Sequence, residues 1–254
     1  MKKITTSLFF AILMAFLMVG NAMAFTVPGS SYGDEPSLQD IFDDVVTGGN
    51  LDAVNDQSNV ETWMIAEALV DSYLVTTYKN DNGILGIYST DTGAKYFLQN
   101  PDKKDQASFG INDTGALYVN GKLKDENFGD GFGFFWRNKD ASPKLTSYTE
   151  DSKNKSGTGY GSNNDVLALT FLVKEGLSVK TQLNDGTTVD AEGNNDWILA
   201  FEDVASSASG DGDFNDAVFY VEDMKPTPEP ATMLLLSVGM IGLVAMRRKF
   251  NKKS

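Results

Sequence analysis

The sequence predicts a mainly β protein: an antiparallel, jelly-roll-like β-sandwich with a short N-terminal amphipathic helix, plus terminal signal and membrane helices. Apolar and aromatic runs of four to eight residues alternate with clusters of Gly, Asn and Asp. Clusters such as Asp81-Asn82-Gly83 and Asn184-Asp185-Gly186 favour the positive φ angles of tight turns. Many short strands without long helices favour an antiparallel sandwich.

The first 24 residues have the features of a signal peptide. Lys2 and Lys3 supply the positive charge, Leu8 to Val19 forms a short apolar run, and Ala22-Met23-Ala24 is a small-x-small cleavage site. We therefore expect signal peptidase to cut after Ala24 and the mature chain to begin at Phe25. An uncleaved membrane anchor is the alternative.

Residues 25–71 form a predicted lead-in segment that contains one helix, from Ser37 to Val46. Apolar residues recur at helical spacing along it, so one face needs a packing partner. Ser37 can cap the first turn with Asp40 three residues on, and Gly48-Gly49 can end the helix.

Residues 72–224 form the predicted sandwich domain. Between residues 63 and 70 the pattern is ambiguous between helix and strand. The predicted strands are Ser72 to Tyr78, Ile84 to Ser89, Ala94 to Leu98, Ala116 to Val119, Phe132 to Arg137, Leu145 to Thr149, Val166 to Val173, Trp197 to Phe201 and Ala217 to Val221.

Composition narrows the possible chemistry. The chain has 35 acidic and 21 basic residues, a formal charge of -14, and no Cys or His. Nucleic-acid binding is disfavoured because it needs clustered Lys and Arg. Ser-His-Asp and Cys-His catalysis and the usual zinc sites are excluded within this chain. An exported domain without disulfides needs another way to hold its loops in place, such as a bound metal ion. The hard ligands that remain in this chain are oxygens, which suit calcium or magnesium.

One acidic stretch has the composition of a calcium site. Glu202 and Asp203 end a predicted strand, and Asp211, Asp213 and Asn215 alternate in a Gly-bearing loop that runs into Asp216. Such spacing lets one turn aim several oxygens at one ion, and calcium accepts six to eight. The predicted ligands of Ca²⁺ are Glu202, Asp203, Asp211, Asp213, Asn215 and Asp216. The alternative is a solvated acidic turn whose Asp and Asn side chains cap their own backbone.

The C-terminal end combines a tripeptide, an apolar run and a basic cluster: Pro228-Glu229-Pro230, then Met233 to Met246, then Arg247-Arg248-Lys249. The apolar run is somewhat short for a membrane span. The basic cluster should stay cytoplasmic, which leaves the domain on the periplasmic side of the inner membrane. We assign residues 225–249 to this segment and 250–254 to a cytoplasmic basic tail.

This end resembles the PEP-CTERM sorting signal of Gram-negative bacteria that make exopolysaccharide. The resemblance implies recognition by an exosortase and cleavage near Pro228-Glu229-Pro230. It also implies a transient stay in the inner membrane, followed by release to the cell surface or the exopolysaccharide matrix of a biofilm.

A second resemblance covers roughly Ser72 to Met224. Phe201-Glu202-Asp203 followed by Gly210 to Asp216 is similar to the C-terminal signature of domain-of-unknown-function family 4114. It implies a β-rich extracellular domain of surface and adhesin-like proteins with calcium ligands. The chain departs from the family at Asp165-Val166, where the family often has Asp-His.

Three functions fit these features. We expect a calcium-stabilised surface or matrix protein with a structural or adhesive role, and not an enzyme. A carbohydrate-binding module would use Trp63, Trp136 and Trp197 for sugar stacking, although each lies in a run more typical of a core. A polysaccharide hydrolase would draw two carboxylates from Glu150, Glu202 and Asp203. The expected partners are signal peptidase, exosortase and extracellular polysaccharide.

Overall fold

The computed structural model describes residues 28, 35–66, 69–77, 83–99, 106–138, 146–154, 166–181, 188–190, 195–202 and 212–228. Within them the chain forms one α-helix, α1 (Leu38–Val45), and 17 strands. The strands are β1 (Val46–Thr47), β2 (Gln57–Ser58), β3 (Trp63–Ile65), β4 (Val70–Thr77), β5 (Gly83–Ser89), β6 (Lys95–Gln99), β7 (Ala107–Ile111), β8 (Leu117–Val119), β9 (Lys122–Asp125), β10 (Phe132–Asn138), β11 (Thr146–Tyr148), β12 (Ala168–Val173), β13 (Ser178–Lys180), β14 (Thr188–Asp190), β15 (Asp196–Phe201), β16 (Ala217–Val221) and β17 (Met224–Pro226).

The strands form two large sheets and one small one, and every pairing between them is antiparallel. The eight-stranded sheet has the order β2-β12-β15-β16-β4-β7-β8-β9. The six-stranded sheet has the order β17-β3-β10-β5-β6, with β11 also paired to β10. A three-stranded sheet has the order β1-β13-β14. The predicted antiparallel sandwich is confirmed.

The core between the two large sheets is aromatic. Trp63 of the six-stranded sheet meets Trp197 of the eight-stranded sheet edge to face, with ring centroids 5.6 Å apart. Phe109 and Phe132 make a second contact across the sandwich at 5.3 Å. Edge-to-face pairs of this kind add to the free energy gained by burying the rings.

A second core lies on the other side of the eight-stranded sheet, beneath α1. Ser37 caps the helix in a capping box with Asp40, as its position in the sequence predicts. Leu38, Ile41, Phe42 and Val45 form the buried face of the helix, and the Phe42 ring lies 4.9 Å from that of Phe171 in β12. Strands β12, β15 and β16 are therefore apolar on both faces.

The helix spans Leu38–Val45, within one residue of the predicted Ser37 to Val46, but Gly48-Gly49 do not end it. It ends at Val45, because Val46 takes an extended conformation and begins β1, which pairs with β13. Gly48, with φ of 85°, instead lies in the bend after β1. Pairing with a distant strand thus stops the helix before its glycines do.

All nine predicted strands are present, with each end within two residues of its predicted position. The eight additional strands have only two to five residues, too few for a clear alternation pattern. Two of them, β2 and β3, lie in the predicted lead-in segment and pair with β12 and β10 of the two large sheets. The expected boundary at residue 72 falls inside β4.

The predicted signal peptide, with Ala22 and Ala24, and the predicted membrane helix lie outside the described residues. In the part of the chain that the structure describes, no helix has the length and apolar character that a membrane crossing requires.

Candidate metal-binding site

The predicted calcium ligands are brought together by the pairing of β15 with β16. Glu202 directly follows β15, and residues 212–216 directly precede β16. Because Phe201 pairs with Ala217, the end of one strand and the start of the next meet at the same edge of the sheet. Glu202 and Asp216 are therefore neighbours across two adjacent strands.

Four of the six predicted ligands are described, and all four are buried. Glu202 is 1% exposed, and Asp213, Asn215 and Asp216 are 0% exposed. The other two, Asp203 and Asp211, lie outside the described residues. Such burial does not fit a solvated acidic turn, because ionised carboxylates lose hydration free energy when they leave water.

The backbone of Glu202 is held by both sides of the sandwich. Its N–H donates to the Leu167 carbonyl at 3.1 Å, and its carbonyl accepts from the Ser147 hydroxyl at 2.7 Å. Its Oε2 accepts a long hydrogen bond of 3.4 Å from the backbone N–H of Phe214. The Glu202 carboxylate therefore faces the loop of residues 212–216.

That loop is fixed by an aromatic anchor and by its own side chains. Phe214 has φ of 57°, an uncommon left-handed conformation for a bulky residue, and its ring is fully buried in the core beneath α1. Asp213 accepts from the backbone N–H of Asn215 at 3.2 Å and from its Nδ2 at 2.7 Å. This is the local capping that the alternative to a metal site predicts, so capping alone does not decide between them.

Asn215 also links the loop to the segment before the helix. Its Nδ2 donates to the Pro36 carbonyl at 2.7 Å, while its Oδ1 is buried and has no hydrogen-bond donor among the described residues. Glu35, next to Pro36, likewise has a buried Oε2 without a hydrogen-bond partner in the described part of the chain. The sequence gives no local signal for these contacts, since Pro36 and Asn215 are 179 residues apart.

These donors fit a calcium ion by type, because carboxylate and amide oxygens are its preferred ligands. As the described side chains stand, however, they contain no group of three or more Asp, Glu, His or Cys residues arranged to hold a metal ion. A complete coordination shell would therefore need oxygens from outside this group, such as those of Asp203 and Asp211.

A second acidic cluster lies at the other end of β16. Tyr73 donates to Glu222 at 3.2 Å, and Tyr220 donates to Asp196 at 3.1 Å. Burial, together with the nearby Asp196, Asp71 and Asp223, raises the pKa of Glu222 to about 7. Burial also raises the pKa of Asp71.

The third acidic feature surrounds Glu150, one of the carboxylates considered for glycoside hydrolysis. Glu150 accepts from the Tyr88 hydroxyl at 3.0 Å and pairs with Lys153 at 3.6 Å. Burial, and then the charges of Asp151 and Glu150, raise the pKa of nearby Glu61 to about 7.

The three tryptophans lie in the core. Trp63, Trp136 and Trp197 are 0%, 1% and 2% exposed, and the Trp197 Nε1 donates to the Met224 carbonyl at 3.0 Å. Their core interpretation is therefore confirmed, and none of them is placed to stack on a sugar ring.

Residues 127–223 match the family model of a domain of unknown function, DUF4114. This match begins just before β10 and contains the whole candidate metal site, so the resemblance noted in the sequence is confirmed over this range. Residues 72–126 lie outside the match, although their strands complete both large sheets. No curated protein and no solved structure matches the chain.

Residues 226–249 match the PEP-CTERM protein-sorting motif. The motif implies export to the cell envelope or surface, with an exosortase as the processing partner. It begins at the last residue of β17, an edge strand of the six-stranded sheet. Pro228 is exposed, while Glu229, Pro230, Arg247 and Arg248 lie outside the described residues.

Proposed function

We propose that the exported domain is a calcium-stabilised protein of the cell surface or exopolysaccharide matrix, with a structural or adhesive role. The observation that carries the calcium proposal is the buried Oδ1 of Asn215, which lacks a hydrogen-bond donor among the described residues and lies in the loop of Asp213 and Asp216. A buried acceptor without a donor is costly, and a cation would offset that cost.

The residues that would hold the ion are Glu202, Asp213, Asn215 and Asp216, with Asp203 and Asp211 as further donors. Calcium would neutralise the crowded carboxylates and connect β15 to β16. Because Asn215 also donates to the Pro36 carbonyl, the same site would support the docking of α1. In a chain with no Cys, this tie would take the place of a disulfide.

We further propose that the chain comes from a Gram-negative bacterium and that the domain faces the periplasm before release. The PEP-CTERM motif and the order of its basic end support this placement. Enzymatic activity is not part of the proposal.

The test is thermal unfolding of the full-length chain in a polyoxyethylene detergent, with calcium and with a chelator. Calcium at a hundred times its Kd stabilises the folded state by about 2.7 kcal/mol. For a domain of this size, that corresponds to an increase of about 5 to 10 °C in Tm. Equal Tm values in millimolar calcium and in chelator would overturn the proposal.

Two variants locate the effect. Asp216→Asn removes one buried charge at the site, and we expect it to abolish most of the calcium-dependent shift in Tm. Asp130→Asn makes the same chemical change at an exposed position and should retain the full shift. Loss of the shift in both variants would place the ion elsewhere.

A further inference from the structure

The outer face of the six-stranded sheet carries a row of aromatic side chains that crosses four strands. In β6, β5, β10 and β11, the register aligns Phe97 with Gly86, Gly86 with Phe135, and Phe135 with Tyr148. Ring centroids are 5.5 Å apart between Phe97 and Phe135 and 6.0 Å apart between Phe135 and Tyr148. Tyr88, which is fully buried and donates its hydroxyl to Glu150, extends the row 5.6 Å from Tyr148. We call Tyr88, Phe97, Phe135 and Tyr148 the aromatic face.

Two glycines let these rings lie close over the sheet. A Cβ on Gly86 would stand 2.3 Å from Cζ of Phe135, and a Cβ on Gly133 would stand 2.2 Å from the Tyr88 hydroxyl. Each ring therefore occupies the space that a side chain on its cross-strand partner would fill. The rings lie close to the sheet, and we call the apolar layer that they form the floor of the aromatic face.

Cations border this floor on both sides. The Arg137 guanidinium lies 5.2 Å from the centre of the Phe97 ring, and the Lys95 ammonium lies 4.6 Å from that of Tyr148. The salt bridges found among the described residues are made by Lys153 and Lys174, so neither Arg137 nor Lys95 has a carboxylate partner there. Two such cations beside exposed rings stand out in a chain with a formal charge of -14.

The floor is accessible from outside at its edge. Phe97 is 46% exposed on β6, an edge strand, and Tyr148 is partly exposed, while Phe135 between them is buried. An exposed ring with a cation over it offers a ligand both an apolar contact and a charge.

We propose that the aromatic face, with Arg137 and Lys95, binds an acidic polysaccharide whose sugar rings bear carboxylates. The C–H faces of the sugars would pack on Phe97 and Tyr148, and the sugar carboxylates would pair with Arg137 and Lys95. A second copy of this chain fits less well, because a symmetric contact would oppose each copy's cations. The proposal depends on extracellular exposure and not on the calcium site, which lies on the other sheet.

The test is isothermal titration calorimetry of the full-length chain in a polyoxyethylene detergent with the hexamer of galacturonic acid. Cellohexaose, a neutral hexasaccharide, is the control ligand. We expect binding of the acidic hexamer that weakens as sodium chloride is raised, and much weaker binding of cellohexaose. Equal affinity for the two sugars, or no binding of the acidic one, would overturn the proposal.

Matched variants identify the surface. Phe97→Ala and Arg137→Gln should each weaken binding about tenfold, the effect of losing one favourable contact of about 1.4 kcal/mol. Tyr118→Ala and Lys122→Gln alter an exposed ring and an exposed cation on β8 and β9 of the other sheet, and should leave the affinity unchanged. Phe97→Tyr should keep the affinity because the ring is retained.

Unchanged affinity in both Phe97→Ala and Arg137→Gln would overturn the proposal. If the wild-type chain formed a dimer that Phe97→Ala dissociated, the occupant would be a second copy and the proposal would be wrong. Arg137→Gln decides the outcome even if Phe97→Ala unfolds. Titrations of the wild type and of Asp216→Asn in the same buffer separate this proposal from the calcium proposal, since sugar binding by a folded chain should be equal in both.

Discussion

The outer faces of the two large sheets differ in whether other segments of the chain cover them. On the eight-stranded sheet, α1 and the small sheet cover the outer face, and Phe42 of the helix packs against Phe171 of β12. On the six-stranded sheet, the outer face carries Phe97 at 46% exposure. The same alternation of aromatic residues along strands thus produces a second core in one place and, at the edge strand β6, an exposed ring in the other.

The charges at the two faces also differ. The covered face ends at Glu222 and Asp196, which accept hydrogen bonds from Tyr73 and Tyr220. The open face carries Arg137 and Lys95 over its rings, and also Glu150, which accepts from the Tyr88 hydroxyl and pairs with Lys153. A face that is buried against its own chain needs hydrogen bonds for its polar groups, whereas a cation on an open face can also reach a charged partner.

The largest test of this difference compares one phenylalanine from each face. Phe42→Ala should lower the free energy of unfolding by about 3 to 5 kcal/mol, because the ring is fully buried and leaves a cavity. Phe97→Ala should cost at most about 1 kcal/mol, since much of its ring is already in water. Urea unfolding of both variants measures the two values. Equal losses would show that the open face is also a core.

A second test addresses the floor of the open face. Gly86→Ala would bring a Cβ within 2.3 Å of the Phe135 ring and 2.7 Å of the Tyr96 carbonyl, so we expect a loss of about 1 to 3 kcal/mol. Near-ultraviolet circular dichroism should change as the rings shift.

Gly49→Ala is the matched control for the floor. Its added Cβ would meet only the end of the flexible Leu177 side chain, so a loss of less than about 0.5 kcal/mol is expected. An unchanged stability and aromatic spectrum in Gly86→Ala would contradict the close packing of Phe135 over Gly86.

The smallest expected effect is a pH dependence at the covered face. The pKa of Glu222 is raised to about 7 from an ordinary value of 4.5, mainly by burial. Between pH 4.5 and 7 the folded state therefore holds a proton that the unfolded chain has lost, so the Glu222 contribution to stability falls as pH rises through this range. Because the side chain is partly exposed, the loss should be about 1 kcal/mol, well below the full value for such a shift.

Glu222→Gln should remove that part of the pH dependence. The free energy of unfolding, measured in urea at pH 4.5 and 7.5, should fall less for the variant than for the wild type. Exposed Glu126→Gln should behave like the wild type. Because the raised pKa of Glu61 acts in the same direction at the other sheet, a residual slope is expected in both variants.

Local sequence patterns predicted most of the secondary structure. The capping box at Ser37 and Asp40 and all nine predicted strands depend on residues near one another in the chain. Short strands such as β2 and β3 were not predicted. Pairing with distant strands stabilises them, and they are too short to show an alternation of apolar and polar residues. The ends of the helix were predicted to within one residue, but its stop signal was not, since pairing of Val46 with β13 ends it before Gly48-Gly49.

The candidate site was predicted in part. Glu202, Asp213, Asn215 and Asp216 are buried at one sheet edge, as the spacing suggested, because β15 and β16 are neighbours both in the sandwich and among the predicted strands. The contact of Asn215 with the Pro36 carbonyl was not predictable, since it joins the two ends of the domain. The core position of the tryptophans was also predicted, but no pattern in the sequence indicated that Phe97 is exposed.

The amino-acid sequence by itself determined the PEP-CTERM sorting motif, the β architecture and a set of side chains without Cys or His. Each depends on residue types and on short-range order, which a linear chain displays directly. Only the tertiary structure decided which outer face is covered by α1 and which leaves Phe97 and Arg137 at the surface. Coverage depends on where distant segments pack, and hydrophobic alternation is the same in a strand whether the apolar face meets a helix or a partner molecule.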